Sequence, residues 1–332
     1  MSRYAAAHID PQGPGDARPT ALQIVQHEGF KGKLTGKVAV VTGVSSGLGI
    51  ETARALAATG ATLYLTARNL ERAEAALADI FDSSTMTLVQ MDQASLESVR
   101  IAAQTILSQT SQISLLIANA GVMAIPDLRL TDKGHEMQFA TNHLSHFLFF
   151  SLLKSALLAG SSSAFQSRVV MLSSAGHRVG GINSSDNYHY QKGGYNPWAA
   201  YAQSKTANVY MANEIERRYG SQGLHAYSLN PGIAATGIIG QLSSEEIMGM
   251  LQDEAMLKAQ KGLDQGAATT IYAAISKDLE GRGGLYLNDC SEAEMGEQDG
   301  DRMSGKSAPH SFDPKNEARL WKDSLELVGL SD

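Results

Sequence analysis

Tyr201 and Lys205 stand four residues apart in the run Y-A-Q-S-K. On a helix that spacing sets a phenol and an ammonium on one face, where both can address one ligand. A phenol titrates at about pH 10 and is a poor acid–base group at neutrality, but a nearby cation favours the phenolate. The pair alone is weak, because Tyr-x-x-x-Lys arises often on amphipathic helices. Its weight comes from company. Ser173-Ser174 ends an apolar run upstream, and Pro231-Gly232 and Thr236 follow downstream.

A second group of residues suits phosphate. Val38–Val41 are four short apolar residues, the composition of a strand buried on both faces. Thr42 then opens a turn holding Gly43, Ser45, Ser46, Gly47, Leu48 and Gly49, after which Ala53, Leu56 and Ala57 fall at helix spacing up to Gly60. Strand, glycine turn and helix in that order form a cradle. Glycines let a pyrophosphate approach the backbone, and the helix start offers unpaired N–H groups. An ordinary βα turn would use the same glycines only for positive φ.

Arg68 follows Gly49 at the end of the next apolar run. A carboxylate there would bond the adenosine ribose of NAD, whereas an arginine pairs with the 2′-phosphate of NADP. No acidic residue occupies 63–69, which favours NADP(H); the alternative is a surface arginine bridging Glu71 or Glu74. Asp92 either accepts from an adenine amino group or caps the helix after it.

The elements that must position these groups alternate regularly. Strands are expected at 61–67, 85–91, 113–117, 168–172, 224–229 and 285–287, with helices at 71–81, 95–108, 132–159 and 199–219 between them. Such alternation implies a doubly wound, mostly parallel α/β sheet of seven strands in a single Rossmann-like domain. Ligands sit at the carboxyl ends of such strands, where Gly43, Arg68, Asp92 and Asn119 all fall. Asn142, in T-N-H-L-S-H-F, lies in a helix that asparagine disfavours, which suggests a local backbone distortion or a proton path. His143 and His146 share that helix, but no third metal ligand is recognisable, so no metal site is assigned.

With Thr42 in front, Gly-x-x-x-Gly-x-Gly resembles the short-chain dehydrogenase/reductase family. The resemblance implies that Asn119-Ala120-Gly121 packs on the adenosine half of the cofactor. It also implies that Asn142, Ser174, Tyr201 and Lys205 are catalytic and that Pro231, Gly232, Ile233 and Thr236 surround the nicotinamide carboxamide. Ser174 would polarise the substrate carbonyl, with Ser173 the alternative register. Tyr201 would protonate the oxygen, and Lys205 would lower its pKa and hold the ribose. Asn142 would anchor a water that relays protons.

Tyr201 follows Ser174 by 27 residues, longer than is usual in the family. That insertion, with Gly283-Gly284-Leu285-Tyr286, Cys290 and a terminal helix containing Trp321, resembles the retinol-dehydrogenase-like and WW-domain-oxidoreductase-like branch. The likeness spans about residues 35 to 330. It implies NADP-dependent interconversion of a carbonyl and an alcohol, reduction favoured. The alternatives are a non-catalytic NADP-binding regulator or an NAD-dependent alcohol dehydrogenase. Tyr188, Tyr190, Tyr195, Trp198 and the methionines of 237–262 suggest a lipophilic or aromatic small molecule, with 177–200 and 237–262 as substrate loops. Relatives pair into homodimers through helices like 132–159 and 199–219, unless the insertion covers that face.

Composition narrows the rest. The 332 residues carry a net charge of −7, which argues against nucleic acid or an anionic membrane as partner. The single cysteine, Cys290, forms no internal disulfide and suits a reducing, cytoplasmic setting. Residues 1–34, with early prolines and glycines and no signal-peptide core, are expected to form a mobile tail ending in a short helix at 21–27. No apolar stretch is expected to reach the length of a membrane anchor.

Overall fold

The run Val38–Val41 becomes β1 (Val38–Thr42), hydrogen-bonded on both edges and buried on both faces. A computed structural model describes residues 2–331. After α1 (Ala21–His27) and β1 come α2 (Leu48–Ala58), β2 (Thr62–Ala67), α3 (Leu70–Leu77), β3 (Met86–Gln90), α4 (Leu96–Leu107) and β4 (Leu115–Ala118). Next, α5 (Met137–Phe139) runs through a π turn (Ala140–Leu144) into α6 (Ser145–Gly160), followed by β5 (Ser167–Leu172), α7 (Pro197–Tyr219) and β6 (Leu224–Asn230). The chain closes with α8 (Ser244–Gln252), α9 (Glu254–Ala259), α10 (Leu263–Gly266), α11 (Ala268–Ile275), β7 (Leu285–Asn288), β8 (Ser291–Glu292) and α12 (Pro314–Leu327).

The sheet order is β3-β2-β1-β4-β5-β6-β7-β8, parallel from β3 to β7. The order reverses between β1 and β4, so the cleft outside their carboxyl ends is the topological switch point where such sheets bind ligands. Helices α1, α2 and α11 cover one face, and α4, α6, α7 and α12 the other, each over its own apolar cluster. Seven strands were expected; β8 is an eighth, two residues long and antiparallel to β7. Its turn carries positive φ at both Asp289 and Cys290, 52° and 53°, the signature of a type I′ hairpin, and no glycine marks it. Cys290 is fully buried there, a packed side chain with its thiol pushed up to about 12 by burial.

Two further expectations change. The segment Met137–Gly160 is long and apolar enough to cross a membrane, yet most of it is buried within the domain. It lies against α4, β4 and β5, which makes it a core helix. The expected mobile tail is packed. Thr20 and Gln23 form a reciprocal cap at the start of α1, whose Ile24 and Val25 enter the core with Tyr4.

Ahead of α1, the buried Arg18 guanidinium donates to Gln260 O at 2.6 Å, Ala259 O at 2.8 Å and Gly13 O at 3.0 Å, and pairs with Asp16 at 2.8 Å. Gln265 Nε2 donates to Arg18 O at 3.0 Å, and Gly13 N donates to Lys258 O at 2.9 Å. The N-terminal segment therefore straps the chain between α9 and α10. We expect Arg18→Ala to cost about 2–4 kcal/mol in urea unfolding, because it strands several buried carbonyls and a carboxylate. Hydrogen bonds from Arg18 hold Asp16 down at about 2. Its contribution is therefore full above the unfolded carboxylate range and is lost as pH falls towards 2, a limb reduced in the variant, which keeps only the backbone donors of residues 12 and 18.

Candidate active site

The glycine turn is braced by its neighbours. Gly43 has φ +77° and a Cβ there would stand 2.8 Å from Ala120; a Cβ on Gly49 would stand 2.2 Å from the Gly43 carbonyl oxygen. Asn119 Nδ2 donates to Thr42 O at 2.8 Å and Gly43 O at 3.1 Å, while Thr42 Oγ1 accepts from the backbone N–H groups of Asn119 and Ala120, each at 3.0 Å. Asn119-Ala120-Gly121 is thus the buttress of the cradle. Gly47 precedes α2, and no side chain caps the first turn of that helix. Its N–H groups are left for an anion.

Thr236 faces the same turn, its methyl 3.1 Å from the point a Gly47 Cβ would occupy. Ser46 lies beside Gly237, and Leu48 packs at Gly266. Behind them Ile233 O accepts from Lys261 N at 2.7 Å, and Lys261 Nζ reaches Asp289 at 2.7 Å and Pro231 O at 3.3 Å, over Gly232. Arg68 is exposed at the end of β2 and has no ion pair among the described residues, so the bridge to Glu71 or Glu74 does not form. Asp92 Oδ1 accepts from Ala94 N at 2.9 Å, whereas the residue capping α4 is Ser95.

Tyr201 and Lys205 lie on one face of α7, both buried, with Nζ 5.5 Å from the centre of the phenol ring. The Ser174 side chain accepts from Gly176 N at 3.0 Å, and Ser174 Oγ and the Tyr201 ring both stand against Gly176, close enough for Ser174 to favour the phenolate. Ser173 Oγ instead donates to Lys205 O at 2.9 Å within the core. The geometry therefore selects Ser174 over Ser173. Burial pushes Tyr201 up to about 12, offset only in part by Ser174, and pulls Lys205 down to about 8. Burial of both groups opposes the expected lowering of the phenol pKa by the ammonium in the free protein. Lys205 Nζ points to Leu172 O at 3.0 Å, and desolvation outweighs attraction.

Asn142 sits in the π turn, where Ser145 N reaches back to Ala140 O. This distortion accounts for an asparagine inside a helix. Its side chain is spent locally: Oδ1 accepts from Val122 N at 2.8 Å, and Nδ2 donates to Val122 O and to Ser204 Oγ, each at 2.9 Å. Its carbonyl accepts from His146 Nδ1 at 3.0 Å.

Sequence reasoning considered His146 only as a metal ligand. Because a carbonyl can only accept, His146 Nδ1 carries the proton and Nε2 accepts from Thr42 Oγ1 at 2.8 Å and Gln93 Nε2 at 2.7 Å. Burial holds His146 down at about 4, so the ring is neutral. His143 points away, to Ser324 on α12 at 2.9 Å. His146 thereby joins the cradle to Asn142, and its position one helical turn after Asn142 was the available signal.

The aromatic insertion divides. Tyr188 stacks on Phe139 and donates to Asp323 at 2.7 Å, Tyr195 donates to Ile125 O at 2.6 Å, and Tyr190 is buried against Tyr195. These three are framework, not pocket lining. Only Trp198 reaches the cleft beside Tyr201, a space of about 420 Å³ whose walls also include Gly176, Val179, Asn196, Gly300 and Arg302. The last two were missed, lying about 100 residues beyond Tyr201. Segment 237–262 is largely exposed, Met248 by 56% and Leu251 by 59%, so its methionines are not core.

Residues 37–247 match the family model for short chain dehydrogenases. The chain is a short-chain dehydrogenase/reductase. It is 46% identical over 330 residues to the short-chain dehydrogenase/reductase prx1 of Penicillium roqueforti, covering 99% of this chain and 96% of that one. It is 35% identical to human retinol dehydrogenase 13, covering 90% and 87%, which places it with the retinol-dehydrogenase-like branch. A crystal structure of an uncharacterised Mycobacterium paratuberculosis protein superposes with a TM-score of 0.69 at 28% identity, covering 95% of this chain and 99% of that one.

The family binds a nicotinamide nucleotide, and the site suits an anionic dinucleotide. The start of α2 is uncapped, and Lys205 is a buried cation with no carboxylate against it among the described residues. That ammonium is costly until an anionic ligand arrives. Its removal leaves no orphan, because Leu172 O also accepts from Asn208 Nδ2 at 3.0 Å. Lys205→Met should therefore stabilise the ligand-free oxidoreductase by about 1–3 kcal/mol at pH 7 while weakening nucleotide binding. The gain should shrink from pH 8 towards 10.5, where the folded parent sheds this proton and the unfolded chain keeps it. Thermal unfolding with and without nucleotide measures both effects.

Proposed function

We propose that this short-chain dehydrogenase/reductase is NADP-dependent and interconverts a carbonyl and an alcohol on a small molecule, working chiefly as a reductase in the cytoplasm. The observation that carries the reading is Tyr201, which meets Ser174 over Gly176 at the wall of the cleft. A raised phenol pKa makes Tyr201 a proton donor in the free protein, the form that reduction requires.

The glycine turn 43–49 and the uncapped start of α2 would hold the pyrophosphate, with Arg68 at the adenosine 2′-phosphate and Asp92 near the adenine. Lys205 would hold the nicotinamide ribose, and residues 231–236 would flank the carboxamide. When bound, the nucleotide supplies or accepts the hydride. Ser174 orients the substrate oxygen, and Tyr201 transfers a proton to it from its own hydroxyl. Lys205 stabilises the phenolate that remains, because an anion beside it reverses the desolvation both groups suffer. Reprotonation runs through Lys205. Asn142 keeps Val122 and Ser204 in place around that path, and its carbonyl has a second lone pair for a water. The likeness to a retinol dehydrogenase and the Trp198 wall support an apolar or aromatic substrate body.

Tyr201→Phe keeps the ring and removes the proton. We expect NADPH oxidation with a panel of aromatic aldehydes to fall at least about a hundredfold in kcat, with NADPH affinity near that of the parent. Near-normal single-turnover rates would end this mechanism.

Arg68 supports the choice of nucleotide. A charge-assisted contact to the 2′-phosphate is worth about 1.5–3 kcal/mol, or roughly ten- to a hundredfold in affinity. Arg68→Asp should lose that factor for NADP and gain affinity for NAD, since a carboxylate suits the ribose diol. Calorimetric titration of both proteins with both nucleotides decides it. Equal affinities in the parent would make Arg68 a surface charge.

A further inference from the structure

Three chemistries meet in the cleft: a hydroxyl pair, an aromatic wall and a cation. Tyr201 with Ser174 forms the first. The Trp198 indole stands edge-on to Tyr201, ring centres 6.3 Å apart at 88°, and forms the second. The third is Arg302, whose guanidinium carbon lies 5.3 Å from the centre of the Trp198 ring.

Nothing acidic pairs with Arg302 among the described residues, although acids surround it in sequence. Asp299 is taken by the buried guanidinium of Arg178 and by Asp301 N. Asp301 Oδ1 accepts from Met303 N at 2.8 Å. Glu246, the acid nearest Trp198 from α8, accepts from the indole Nε1 at 3.1 Å and from Ser243. Asn196 beside it spends its carbonyl on the N–H groups of Trp198 and Ala199, which leaves its amide N–H pair as donor on the same wall. A chain of net charge −7 thus keeps a cation and a donor at the open end of its reaction cleft.

We infer that the substrate carries a carboxylate, held by Arg302 and Asn196, on a planar or apolar body that lies along Trp198 with its carbonyl at Tyr201. Contact with the indole face holds the guanidinium at the cleft wall, where its paired N–H donors can meet a carboxylate. The inference rests on the proposed carbonyl chemistry at Tyr201, and it adds the acidic group.

Matched probes test it: 4-carboxybenzaldehyde against methyl 4-formylbenzoate, reduced with NADPH. The parent should favour the acid in kcat/KM by about tenfold, a modest factor because Arg302 is solvent-exposed. Arg302→Leu should bring the acid-to-ester ratio near one, Arg302→Lys should keep part of it, and Lys322→Leu, an exposed charge on α12, should not move it. A parent ratio near one, or an unchanged ratio in Arg302→Leu, overturns the inference. Calorimetry with 2-naphthoate and 2-naphthamide separates this from the oxidoreductase reading. If no carbonyl is reduced yet naphthoate binds more tightly than naphthamide only when Arg302 is present, the acid site stands and the reaction assignment falls. Equal binding of the two overturns the acid site.

Discussion

A buried ammonium with no counter-ion among the described residues sets the terms for the rest of the molecule. Lys205 is enclosed by β5, α7 and the Asn142 turn, and its hydrogen-bonding partner in the free protein is a carbonyl. Desolvating a charge this way costs several kcal/mol, which only a stable surrounding fold can absorb. Two apolar clusters on either face of an eight-stranded sheet supply that stability. The same strain makes the site selective. An anionic ligand gains from the ammonium, and a neutral one gains little.

Around this cation the polar groups form one connected scaffold. Thr42 ends β1 and receives the N–H groups of Asn119 and Ala120 from the end of β4. Its own proton goes to His146, whose other nitrogen donates to Asn142. Asn142 in turn fixes Ser204, the neighbour of Lys205 on α7. The glycine cradle and the helix carrying Tyr201 are therefore joined through buried hydrogen bonds, each costly to leave unmade. A neutral His146 is essential to this order, because a protonated ring could not accept from Thr42.

Much of this was legible because it is local. A strand buried on both faces needs a continuous apolar run, and a close βα turn needs glycine, so β1 and Gly43, Gly47 and Gly49 could be read directly. What escaped depended on partners distant in the chain. Tyr188 and Tyr195 have the composition of pocket lining, but Asp323 and the Ile125 carbonyl make them framework. Arg18 lies in a proline- and glycine-rich stretch that suggests disorder, and only the carbonyls of 258–260 reveal it as a clamp. Asp289-Cys290 turns a hairpin without glycine, so β8 left no signal. Ser173 and Ser174 were separable only once the Lys205 carbonyl claimed the first.

Segment 237–262 is held unequally at its two ends. At its root, residues 258–260 are pinned by the buried Arg18 fork and by Gly13. At its tip, α8 buries none of its residues and touches the Trp198 indole through Glu246, an exposed hydrogen bond that water readily replaces. The root is therefore held much more firmly than the tip. Asp253 is the link, in extended conformation between two short helices, and it caps α9 through Met256 N at 3.0 Å. Displacement of the tip would therefore turn at Asp253 and leave residues 231–236, beside the glycine turn, in place.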